Sequence, residues 1–158
     1  MDPDQKRNSL RNITYGVYIL TVKSNEEYAA ATVTWVSQSS LDPPQIMLGL
    51  RKGSNTATLL LKTQKFVLNI LGETQKRIGS AFLKHAIVDG KTINGYPFKL
   101  GETCAPILED APSFIECKVD ELIEGTDHDV VIAGVINAGV HSDESPLNLR
   151  STGWSYGG

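Results

Sequence analysis

Cysteine and methionine are scarce, at two each in 158 residues. Cys104 and Cys117 form no CxxC pair, and no His or Cys lies at zinc-ligand spacing from them. A bound metal is therefore not expected. Two buried thiols in a reducing cytoplasm are. No apolar run approaches the roughly 20 residues of a membrane-spanning helix. The opening MDPDQKRNSLRN is polar and lacks an apolar core, so it does not read as a signal peptide, and the expected location is cytoplasmic. Basic residues are not in excess: Lys and Arg number 15 against 18 Asp and Glu, a net charge of −3. That balance excludes a broad nucleic-acid surface but leaves room for a local anion site. There is no GxxxxGK[ST] loop, no internal repeat and no linker-like tract, so residues 1–158 read as a single domain without a nucleotide P-loop.

Short β-rich runs are plentiful. GVYILTV (16–22) and AAATVTWVS (29–37) flank a polar turn and predict a hairpin. LDPPQ (41–45) interrupts the chain, because proline fixes φ and removes a donor. IMLGLR (46–51), KFVLNIL (65–71), SFIECKVDELIEG (113–125) and HDVVIAGVINAGV (128–140) predict further strands. Ser54 is placed to cap a short helix carrying Leu59, Leu60 and Leu61. Residues 73–85 space Ile78, Phe82 and Leu83 as an amphipathic helix does. The first dozen residues predict a short helix, 86–103 a loop, and the tail a series of turns. The sum is mainly β, a barrel with a few helices rather than a parallel α/β sheet.

Three stretches carry chemistry. TVTWVSQSSLDPP collects Thr32, Thr34, Ser37, Ser39 and Ser40. Strand alternation would send Thr32 and Thr34 to one face and Val33 and Trp35 to the other. Threonine also simply favours strands and serine turns, and both explanations stay open here. RKGSNT sets Arg51, Lys52, Ser54 and Thr56 at a helix start, where free amides and the helix dipole attract anions. An ordinary helix cap accounts for the same residues. EGTDHDVV places His128 between Asp127 and Asp129 at a strand start, suited to meeting an anion or assisting a proton transfer. No nucleophile stands beside it, which disfavours hydrolase chemistry.

In order and spacing, TVTWVSQSSLDPP, RKGSNT and TDH resemble the flavin reductase-like family, the FMN-binding split-barrel proteins. The resemblance runs from about Leu10 to Val140. The TYGVYILT opening and YGG ending are similar to flavin reductase-like modules attached to rubredoxins or to flavodiiron proteins. The resemblance implies a Greek-key-like split barrel, homodimeric, with FMN (or FAD) near the interface and NAD(P)H as hydride donor. It implies a flavin lined by Thr32, Val33, Thr34, Trp35, Val36, Ser39 and Ser40, its phosphate held by Lys52, Ser54 and Thr56, with Asn55 also a cofactor-binding residue. His128 would lie on the nicotinamide side as the catalytic residue. The family's usual GDH motif reads TDH here, with Thr126 in the place of Gly. Electrons would pass to another flavin, to ferric iron or to a partner protein. Another reading is an electron-transfer module serving a rubredoxin-like or flavodoxin-like partner with little NAD(P)H activity.

Overall fold

The computed structural model describes residues 1–158. Helix α1 (Pro3–Leu10) starts on Asp2, whose carboxylate accepts from the amides of Asp4 and Gln5. Strands β1 (Tyr18–Ser24) and β2 (Glu27–Val33) form the predicted hairpin, in register from Tyr18 opposite Val33 to Ser24 opposite Glu27. Next come β3 (Val36–Leu41) and β4 (Pro44–Arg51), then helix α2 (Asn55–Thr63) and β5 (Lys65–Ile70). Helix α3 (Lys76–Ala81) is followed by β6 (Val88–Asp89), β7 (Thr92–Ile93), β8 (Tyr96–Leu100) and β9 (Pro106–Leu108). The long strands β10 (Ser113–Ile123) and β11 (His128–Val140) precede a final 3-10 turn, Leu149–Thr152.

Seven strands make one antiparallel sheet in the order β2-β1-β5-β10-β11-β4-β3. Its two edges, β2 and β3, are consecutive in the chain and joined only by Thr34 and Trp35. Six strand gaps of about 4.8 Å would separate those edges by about 29 Å in a flat sheet. Three peptide steps reach at most about 11 Å. The sheet must therefore curl until its edges nearly meet. No ladder pairs β2 with β3, so the barrel stays split along a seam bridged by Thr34 and Trp35. The predicted strand over 29–37 is thus two strands, because its last residues cross the seam.

Two large apolar clusters fill most of the interior, beside a small third one of Val67, Ala105, Ile107 and Phe114. One joins α2 (Ala57, Leu59, Leu60) to Leu20, Leu48, Phe66 and Val131. Fully buried Leu60 contributes about 1.5–3 kcal/mol; Leu61, predicted with it, is exposed. The other packs α3 and the tail on the barrel through Val17, Leu71, Ile78, Phe82 and Leu147. Helix α3 is shorter than the periodicity of 73–85 predicts. Its expected first turn is held elsewhere: the Glu73 amide donates to the Ser145 carbonyl at 2.8 Å, and Thr74 donates twice to Glu144. Residues 86–103, predicted as loop, carry β6, β7 and β8, which with β9 form a second four-stranded sheet. The turn of one of its hairpins is Asn94–Gly95, both at positive φ (48° and 85°), the two-residue geometry that matches strand twist.

Candidate functional site

A cavity of about 570 Å³ opens at the seam. Its wall includes Thr32, Val33, Thr34 and Trp35 from the crossing, Gly49 and Arg51 from β4, Ser54 and Thr56 at α2, His128 on β11, and Trp154 and Tyr156 from the tail. Alternation predicted that Val33 and Trp35 would face away from Thr32 and Thr34. All four line the cavity, because regular strand geometry stops at Val33.

Their polar atoms differ in state. Thr32 Oγ1 donates to the Gly79 carbonyl at 2.7 Å and is occupied. Thr34 is 8% exposed, and its Oγ1 has no partner. Trp35 Nε1 is also buried without a partner. A buried polar atom left unpaired costs about 1–3 kcal/mol, so two of them on neighbouring residues of one cavity wall mark a place where a polar ligand would be stabilised. The indole is seated on Gly49, where an added Cβ would lie 3.0 Å from the ring. It packs 4.6 Å from the His128 ring and 5.2 Å from that of Tyr156, centroid to centroid.

At the α2 end, Ser54 is a helix cap. Its hydroxyl accepts from the Ala57 amide at 3.1 Å and donates to the Arg51 carbonyl at 3.0 Å. The amides of Asn55 and Thr56 have no carbonyl a turn back within the helix to bond, and Thr56 is 3% exposed in the cavity wall. Asn55 lies in an adjoining groove, its Nδ2 3.1 Å from His85 Nδ1. Lys52, expected at this end, lines neither the cavity nor the groove. Lys52 Nζ is 3.2 Å from Glu124 and 3.4 Å from Asp129, and those partners, Glu124 first, raise its pKa. Arg51 lines both the cavity and the groove and makes no ion pair. The sequence signal was there, since Arg51 and Lys52 are adjacent and a strand end turns neighbours to opposite sides.

Val36, Ser39 and Ser40 do not join the cavity. Val36 lines a separate apolar groove with Tyr18 and Ile46. Ser40 pairs with Gln45, at the end of β4 remote from Arg51, so β3 carries both serines away from the seam. The double proline is a hairpin turn: Leu41 pairs with Pro44 across it.

His128 is held by its surroundings. The preceding turn is tied down by the Lys52 amide on the Asp127 carbonyl (3.0 Å) and the Gly125 amide on Asp129 Oδ1 (3.1 Å). The turn requires its glycine at 125, where an added Cβ would lie 2.0 Å from the His128 carbonyl oxygen. Thr126 is accommodated one residue later. Asp127 Oδ1 lies 3.1 Å from Nδ1 of His128, outside hydrogen-bond alignment, and this neighbour keeps the Asp127 carboxyl below its ordinary range. On the other side, Nε2 is 2.7 Å from the Tyr156 hydroxyl. Tyr156 escaped the sequence reading, because a tyrosine in a turn-rich tail has no local periodicity to mark it.

Residues 10–154 match the Flavin reductase like domain. The chain belongs to this family. It is 30% identical to the NADH-dependent flavin reductase StyB of Pseudomonas fluorescens over 144 residues, 90% of this chain and 82% of that protein. It is 32% identical to Diflavin flavoprotein A 1 of Synechocystis over 159 residues, 99% of this chain and 28% of the relative. The chain thus spans little more than a quarter of that larger protein. Among solved structures, the styrene monooxygenase flavin reductase of Pseudomonas putida S12 superposes with a TM-score of 0.76 at 28% identity, covering 89% of this chain and 88% of that one.

The seam cavity fits a flavin nucleotide on its own chemistry. A ring edge carrying carbonyls and ring nitrogens would satisfy Thr34 Oγ1 and Trp35 Nε1. A phosphate would satisfy the α2 amides and Arg51.

Proposed function

We propose that the chain is an NAD(P)H-dependent flavin reductase that holds FMN in the seam cavity, with FAD as the other flavin candidate. One observation carries the proposal: two unpartnered buried polar atoms, Thr34 Oγ1 and Trp35 Nε1, belong to residues that line one cavity together with a helix N-terminus and an unpaired arginine. Bound there, a flavin would supply the chemistry of accepting a hydride from a reduced nicotinamide and releasing electrons singly or in pairs. The protein's part is binding and orientation. Thr34 and Trp35 fix the ring edge, Thr56 and the α2 amides with Arg51 fix the phosphate, and the Trp35–His128–Tyr156 cluster sets the approach of the nicotinamide ring. Tyr156 and Asp127 flank the two nitrogens of His128, which restrains the imidazole for a polar contact with that ring.

The same proposal includes a homodimer. The β3–β4 hairpin leaves Leu41 85% and Met47 40% exposed, and a second copy would cover them. A reducing cytoplasm suits the two free thiols, of which Cys117 is buried as expected and Cys104 is instead exposed; burial pushes Cys117 up to about 12, which leaves it inert.

A second proposal is that the chain serves as an FMN-bearing electron-transfer module with slow NAD(P)H turnover. Its support is the match of nearly the whole chain to a part of Diflavin flavoprotein A 1. Anaerobic NADH added to the FMN-loaded protein separates the two. Rapid bleaching near 450 nm supports the reductase, and a spectrum unchanged over minutes supports the module.

A further inference from the structure

A second cavity, of about 430 Å³, adjoins the first. The two share Leu149, Trp154, Ser155 and Tyr156 as a common wall. The rest of its lining comes from residues 11–15 and from Asn148, Arg150 and Gly153. No carboxylate lines it, although the chain as a whole carries a net charge of −3. Two guanidiniums do. Arg11 Nε donates to the Gly157 carbonyl at 3.1 Å, and Arg150 Nη2 donates to Asn12 Oδ1 at 2.7 Å. Neither is in an ion pair, so most of their ten N–H donors lack a protein acceptor. Lys76, outside the lining, holds its Nζ 5.6 Å from the centroid of the Trp154 ring in the shared wall. Tyr15, Trp154 and Tyr156 supply aromatic surface.

Planar guanidiniums suit phosphate oxygens, and aromatic surface suits a stacked base. Together they describe a site for a nucleotide diphosphate. The flavin phosphate already has a seat at α2 and Arg51, so this second cationic pocket is left for the other phosphorylated reactant. We propose that it binds the adenosine diphosphate end of the nicotinamide dinucleotide, whose nicotinamide end reaches past Tyr156 to His128. This inference rests on the reductase proposal above and names the docking site of its donor.

The test compares wild type with the Arg11→Ala/Arg150→Ala double variant and with Arg11→Lys/Arg150→Lys. Donors are NADH and 1-benzyl-1,4-dihydronicotinamide, which has a nicotinamide and no phosphate. The expected result is a fall of about tenfold or more in the preference for NADH over the benzyl donor. The lysine variant should recover part of it. Binding of ADP-ribose, read by quenching of tryptophan fluorescence without any turnover, should weaken in parallel. Equal losses toward both donors, an unchanged preference, or ADP-ribose binding indifferent to the substitutions would overturn the assignment. So would weakened FAD affinity with NADH preference intact, which would give the pocket to the adenylate of the flavin instead. Wild-type protein that binds FMN but oxidises neither donor would overturn the reductase proposal, and this one with it.

Discussion

Two buried polar groups of this barrel are built on opposite plans. Glu116 on β10 has no exposed surface, yet its oxygens are fully engaged. Oε1 accepts from the Thr103 amide and hydroxyl, both at 2.8 Å, and Oε2 accepts from Asn137 Nδ2 at 2.7 Å. Thr34, at the seam, is almost as buried and its hydroxyl has no partner. The first arrangement is closed. It pins the loop before β9 to the β10–β11 pair, and its chemistry is spent on the fold. The second is open, its hydroxyl left without a protein partner on a residue of the cavity wall. Burial of a polar group does not by itself indicate function; what separates the two is whether the protein supplies the partner.

The largest effect that would sharpen this contrast comes from Glu116→Ala. It strands the Thr103 and Asn137 donors in the interior and should cost about 3 kcal/mol or more, measured by urea unfolding. A change below about 1 kcal/mol would break the contrast from the closed side. FMN affinity of the folded fraction should stay near wild type.

Arg51→Ala comes next. Losing a charge-assisted contact, worth about 1.5–3 kcal/mol, should weaken FMN by about 10- to 100-fold and leave riboflavin, which lacks the phosphate, little changed. Lys52→Ala should affect FMN far less, since that ammonium is held by Glu124 and Asp129. Equal losses in the two variants would restore Lys52 as the phosphate ligand.

Thr34→Val tests the open side with a smaller effect. Flavin should bind several-fold more weakly, about 0.5–1.5 kcal/mol, while unfolding stability stays within about 0.5 kcal/mol of wild type or rises. A stability loss with unchanged flavin affinity would make Thr34 a structural residue like Glu116.

The smallest effect is on pH dependence. Burial raises the Glu116 pKa, but the Thr103 amide, Asn137 and the Thr103 hydroxyl outweigh it and leave the carboxyl below its ordinary range. A depressed folded-state value means the unfolded chain binds the proton first as pH falls. The contribution of Glu116 is therefore complete above the ordinary carboxylate range and is lost as pH drops through its lowered value. Wild type should lose stability more steeply below about pH 4.5 than Glu116→Gln. Parallel profiles would show that the carboxylate charge adds nothing.

How far these features were legible in the sequence follows the range of the forces involved. The runs 16–22, 65–71 and 128–140 announce strands because their β-branched residues fit one local geometry, and the strands observed there agree. Ser54 announces its helix for the same local reason. The Asn94–Gly95 turn is equally local, but Gly90, Gly95, Pro97 and Gly101 make 86–103 resemble a loop and mask the short strands between them. The seam was not legible. That Thr34 has no partner follows from β2 and β3 being opposite edges of a curled sheet, a property of the whole strand order. The 2.7 Å approach of Tyr156 to His128 joins residues 28 apart, and that Arg51 lines the cavity while Lys52 does not depends on which way a strand end turns. In both cases residue type was informative and direction came only with the fold.

The most direct test of the central claim is an FMN titration of the flavin-free protein, followed by absorbance and tryptophan fluorescence, for wild type and Thr34→Val side by side. Saturable binding at one flavin per chain, with quenching of Trp35 and weaker affinity in the variant, is the outcome this account predicts. No saturable binding by wild type, or identical affinities in the two proteins, would contradict it.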